Sequence, residues 1–117
     1  MTPDELRSLI EDAAKAAGYT WVRPTEAGEF WWHENPDLAR PWNPTTSRSD
    51  CFDLETALGL EVAWFEFAVS FRTDCRDQSY IERFSDHSAP TLNESKSLAR
   101  MMAATRAAAE IFRSMKK

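Results

Sequence analysis

The chain has 117 residues, 43% of them hydrophobic and 28% charged, with a net charge of −5. That length and composition fit one folded domain over residues 1–117 and exclude a disordered chain. The acidic balance argues against a free-standing nucleic-acid binder. No apolar run approaches the ~18 residues of a membrane span, and acidic Met1 to Glu5 carries no apolar signal core, so the sequence predicts a cytoplasmic protein without membrane contact.

Thr2 is placed to cap a first helix, with Pro3 at its first position and Asp4 and Glu5 at its positive end. Leu6, Leu9, Ile10, Ala13, Ala14 and Ala17 form its apolar stripe, and Gly18 ends it. Residues 19–23 and 29–33 read as two strands around a turn at residues 24–28. Residues 34–47, with Pro36, Pro41 and Pro44, read as a long loop whose central Trp42 docks onto something. Ser47 to Asp50 reads as a capping box before a short helix carrying Cys51, Leu54, Ala57 and Leu58, closed by Gly59.

Residues 60–72 read as one continuous strand. Ala63, Phe65, Phe67, Val69 and Phe71 alternate on a core face, and Trp64, Glu66, Ala68, Ser70 and Arg72 on a mixed one. A partner strand at residues 79–85 sets Tyr80 opposite Phe71 and Phe84 opposite Phe67, with Ile81 and Arg83 on the mixed face. A second capping box at Thr91 to Glu94 opens a last helix with Leu98, Met101, Met102, Thr105, Ala108, Ala109 and Phe112 on one stripe. The fold expected is α+β, with a four-stranded antiparallel sheet in the order α-β-β-α-β-β-α. The first and last helices would pack on the Phe65, Phe67, Val69, Phe71 face.

Three glycines are too few for a P-loop or a dinucleotide-binding turn, and GxSxG and HExxH are absent. His33, His87, Cys51 and Cys75 are isolated from one another, which speaks against a zinc site; neither metal nor cofactor is expected. Asp50, Asp53 and Glu55 read as acids attracted to a helix start. With no nucleophile–base pair in view, the sequence predicts no enzyme.

The arginines carry the functional expectation. Arg72 and Arg83 on the mixed face with Trp64, and Arg106 and Arg113 on the last helix, could clamp a planar anion such as a nucleotide. Trp42, with Asn43 beside it, would supply a stacking lid. The competing reading pairs these arginines with Glu66, Glu82 and Glu110 on a solvated surface.

Ala17 to Trp21, Trp42 to Thr46, the segment LETALGLEV from Leu54 to Val62, and Thr105 to Ile111 together resemble the phage ABA-sandwich domain family. The resemblance implies a phage or prophage origin, a layered helix–sheet–helix fold and no enzymatic activity. By analogy with small phage proteins of similar size, it implies a sponge that sequesters a nucleotide signal of bacterial immunity in the cytoplasm of the infected host cell. The arginine-bearing segment from Thr73 to Ser88 departs from the pattern. The alternative is a protein-interaction module that binds a host or phage protein through Trp42 and exposed aromatics. Trp31 and Trp64, turned away from the core, predict a homo-oligomer, most simply a dimer.

Overall fold

The computed structural model describes residues 2–25, 28–32, 40–72 and 79–115; of 20–25, 28–32, 40–41, 79 and 115 it describes the backbone. Among the described residues three α-helices, α1 (Pro3–Ala16), α2 (Arg48–Leu58) and α3 (Leu92–Met115), and a short 3-10 turn at Phe84–Asp86 accompany six strands. The strands are β1 (Thr20–Thr25), β2 (Gly28–Trp32), β3 (Arg40–Pro41), β4 (Glu61–Trp64), β5 (Ala68–Arg72) and β6 (Ser79–Arg83). They form two three-stranded antiparallel sheets, β1-β2-β3 and β4-β5-β6. No helix among the described residues is long and apolar enough to cross a membrane.

The helix ends follow the sequence. Thr2 Oγ1 accepts from Glu5 N, Ser47 Oγ from Asp50 N and Thr91 Oγ1 from Glu94 N, each satisfying an amide that the helix leaves open. Gly59 ends α2 in the left-handed region, at φ 61°, where a Cβ would be strained.

The α+β class holds, but the single four-stranded sheet and its order do not. Two local events account for the larger number of strands. The chain places a third strand, Arg40–Pro41, within the stretch read as a loop; proline is admissible there because β3 lies at a sheet edge. The expected long strand breaks in two. Phe65 N donates to Ala68 O at 2.8 Å, so Glu66 and Phe67 form a tight loop between β4 and β5. Neither is a residue that two-residue hairpins favour, so the turn leaves no sequence signal.

The reversal also inverts the facing of every residue before it. Trp64 pairs with Val69 and Val62 with Phe71, which sets Val62 and Trp64 on the same face as the core residues of β5. Phe65 and Phe67, expected in the core, stand at the hairpin tip, 59% and 73% exposed. The β5–β6 register is as expected, with Phe71 opposite Tyr80, Ser70 opposite Ile81 and Ala68 opposite Arg83. It continues through Phe84 N, which donates to Phe67 O at 3.0 Å. The rings of those two residues nevertheless part, Phe84 buried and Phe67 exposed.

Two apolar clusters share α3. One joins Val69, Phe71 and Phe84 to Ala99, Met101, Ala103, Ala104 and Ala107. The other joins Ile10, Ala13 and Ala14 of α1 to Trp42, Leu54 and Ala108. The first helix therefore packs on α3, and no residue of α1 belongs to the Val69–Phe71 cluster. The far face of the second sheet presents Ile81 and Arg83 to solvent.

Phe71→Ala should cost roughly 3–5 kcal/mol in urea unfolding, the range for emptying a buried aromatic site. Phe67→Ser should stay within about 0.5 kcal/mol of the parent, because an exposed tip residue loses no packing.

Candidate functional site

Of the arginines singled out in the sequence, Arg72, Arg106 and Arg113 are held apart as clasps between elements. Arg72 Nε meets Glu61 Oε2 at 2.9 Å across the β4–β5 pair, both side chains largely exposed. Arg106 Nη1 lies 2.8 Å from Glu82 Oε1, tying α3 to β6, a contact of charge without hydrogen-bond alignment. His87 Nε2 lies 3.3 Å from the other oxygen of Glu82, so this buried carboxylate sits between two basic groups. Arg113 Nε meets Asp12 Oδ2 at 2.7 Å and its Nη1 meets Glu110 Oε1 at 3.3 Å, joining α3 to α1. These bonds, that to Asp12 first, raise the guanidinium pKa further. The cleft that Arg113 borders is otherwise lined by Asp4, Glu5, Ser8 and Leu9, an acidic surround that suits no anion. Arg83 is exposed on the outer sheet face.

Trp42 does dock, onto the protein itself. It is 4% exposed among α1, α2 and α3, with Tyr19 edge-on at 5.2 Å. Asn43 locks it there. Its backbone N–H donates to Asp50 Oδ2 at 2.9 Å, and its side-chain oxygen accepts from Thr45 N at 2.9 Å. The Asx turn thus ties the loop to the start of α2, and Trp42 can serve neither as a lid nor as a docking residue. His33, Cys75, Trp31's side chain and the 73–78 segment lie outside the described residues.

Of the expected set, only Trp64 borders an open groove of about 550 Å³ between α2, α3 and β4. Its walls follow from helical spacing. Arg48, Cys51, Phe52 and Glu55 share one side of α2, and Asn93, Lys96, Ser97, Arg100 and Met101 one side of α3. Trp64 closes the third side because the hairpin turned it toward α3.

Three cations therefore face the groove against one carboxylate, in an acidic chain. Arg100 Nε and Nη2 both donate to Glu55 Oε1, at 3.2 and 2.8 Å. The guanidinium also stands 5.8 Å from the Trp64 ring centre and 5.9 Å from that of Phe71, within cation–π range. Arg48 Nε donates to Ser97 Oγ at 2.9 Å, a link between the two helices. Lys96 lies 5.7 Å from the Phe84 ring centre. Phe52 and Trp64 add exposed aromatic surface, 64% and 47% accessible.

At the groove floor, Cys51 is buried, with its Sγ 3.7 Å from Glu55 Oε2. Burial above all, then the negative charge of Glu55, pushes this thiol up from its ordinary 9.0 to about 12, against a smaller opposite pull from Arg100. It is therefore no thiolate nucleophile near neutral pH. Among the described residues no group of three or more His, Cys, Asp or Glu side chains could hold a metal ion.

Arg48, Phe52, Lys96 and Arg100 lie outside the residues that the sequence points to, and Glu55, a helix-start acid by sequence, lines the groove. Their signal was present as i, i+3, i+4 and i+7 spacing on the less apolar side of two helices, but spacing alone does not say that those sides meet. No family model matches the chain, and no curated protein or solved structure matches it.

Two outcomes are expected. Arg106→Ala should destabilise the fold by roughly 1–3 kcal/mol, because Glu82 stays buried after losing a charged partner; thermal melting checks this. In a Cys75→Ser background, iodoacetamide at pH 8 should modify Cys51 only after urea unfolds the chain. The stability contributed by the protonated Cys51 thiol should be complete below pH 9 and fall as pH rises toward 12, since the folded state holds this proton more tightly than the unfolded one.

Proposed function

We propose that this protein is a non-enzymatic binding module that holds a small anionic, ring-bearing ligand of the nucleotide class in the groove between α2, α3 and β4. One observation carries the reading: Arg48, Lys96 and Arg100 converge with exposed Trp64 and Phe52 on one cavity of a chain whose overall charge is negative. The cavity volume lies within the ~300–1,000 Å³ of small-molecule sites. Indole and phenyl faces suit a base, and guanidinium and ammonium groups suit phosphate oxygens. The protonated Cys51 thiol supports holding the ligand unchanged. Joined to the resemblance to small phage proteins, the reading extends to sequestration of a nucleotide immune signal in the cytoplasm of an infected bacterium.

The exposed Phe65 and Phe67 of the hairpin tip favour a second reading, a protein-interaction module, now without Trp42. Isothermal titration with a panel of mono-, di- and cyclic nucleotides, inorganic pyrophosphate and nucleosides separates the two. A nucleotide should bind and be recovered unchanged by chromatography. Lys96→Ala and Trp64→Ala should each weaken it by roughly 1–3 kcal/mol, the scale of a lost charged hydrogen bond or stacked base, and Lys96→Ala should do so without lowering the melting temperature. Failure of every phosphorylated probe to bind, or equal affinity in both variants, would overturn the proposal.

A further inference from the structure

The strand that carries Trp64 has an open side. Among the described residues β4 is an edge strand, paired only with β5, and all four of its residues are exposed. Which of its backbone groups look outward follows from the hairpin. Phe65 N donates to Ala68 O, so alternation turns the N–H and C=O of Ala63 and Glu61 toward β5 and those of Val62 and Trp64 away from it. Leu60 N is already taken by Glu55 O at 3.0 Å, and the chain turns at Glu66 and Phe67. The free edge is therefore two residues, Val62 and Trp64, separated by an alanine.

Their side chains have the same incompleteness. Both lie on the face shared with Val69 and Phe71, but α3 packs over β5 and β6, and leaves Val62 37% and Trp64 47% exposed. Natural edge strands are blunted by charge, proline, a bulge or a cover; the one charge on β4, Glu61, is paired with Arg72 of β5, and among the described residues Val62 to Trp64 carries none of these devices, its shortness aside.

We infer that a second copy of this chain docks on this edge, β4 against β4 antiparallel about a two-fold axis midway between the two copies of Ala63, joining two three-stranded sheets into one of six. The groups themselves select this occupant and register. With Ala63 facing its own copy, Val62 of each subunit faces Trp64 of the other, and all four outward N–H and C=O groups of each copy are satisfied. Centring on Val62 would instead set Trp64 against Leu60, whose amide is already used. Centring on Glu61 would set two like charges face to face. The small side chain of Ala63 sits where an antiparallel non-hydrogen-bonded pair brings strands closest. An isologous contact of this kind closes on itself and exposes no new edge at the seam.

The dimer also completes the groove. A second Val62 lies against Trp64 and extends that wall, so the pairing fixes the indole that the ligand would stack on. The dimer inference itself stands on the edge geometry and is independent of the ligand reading.

The test is the mass in solution by light scattering across micromolar concentrations, with hydrogen exchange resolved to single amides. The wild-type chain should give twice its 13.4 kDa. Its Val62 and Trp64 amides should gain protection as concentration rises, while Ala63, bonded within the hairpin, stays constant. Val62→Pro removes only an outward N–H, and Val62→Lys places a charge at the seam; each should halve the mass with the circular dichroism spectrum unchanged. Should the proline variant lose its fold, the lysine variant decides. A monomeric wild-type mass throughout, or a dimer undisturbed by Val62→Lys, overturns the inference.

Discussion

The structure depends on the close approach that the small residues of α3 permit. From Ala103 to Ala109 every residue but Arg106 is buried, and the buried ones are alanines and one threonine. Small side chains allow α1, α2 and the β5–β6 pair to approach a single helix from different sides, so α3 is the shared wall of both apolar clusters. Thr105 Oγ1 donates to Met101 O at 2.7 Å, which satisfies the one hydroxyl caught in this packing. Substituting larger residues there would force neighbours off their rotamers and would separate the elements that the rest of the fold relies on.

Around that helix, buried carboxylates are each held by a group from another element. Glu55 of α2 takes Arg100 of α3, Glu82 of β6 takes Arg106 of α3, and Asp50 at the start of α2 takes the backbone of Asn43. Such contacts contribute modest net stability, but breaking one leaves a desolvated charge, so they act as constraints on register and orientation. This is why Arg106, singled out in the sequence, is occupied within the fold. The cations left facing a cavity, Lys96 and the outer edge of Arg100 with Arg48, lie on helix sides whose meeting no linear pattern announces.

The β4–β5 reversal has the widest consequences of any local feature. It takes two phenylalanines out of the core, gives Trp64 to the groove, and leaves β4 as an open edge. The groove wall and the open edge thus both trace to two residues, Glu66 and Phe67, that hold the chain in a turn through hydrogen bonds on either side.

By itself the sequence determined what local chemistry decides. The caps at Thr2, Ser47 and Thr91, the stops at Gly18 and Gly59, the three helices, and the Phe71–Tyr80 register were all legible, because each rests on contacts between near neighbours or on strict periodicity. The composition also carried the absence of glycine-rich phosphate loops. Tertiary structure alone decided the rest. A five-residue alternation reads the same whether the chain runs straight or reverses through residues with no turn preference, so the break of one expected strand into β4 and β5 was invisible. A guanidinium reads the same whether it meets a glutamate from another element or a cavity. Which of the two it meets depends on how α3 brings distant helices together, and that is a property of packing over long separations in sequence.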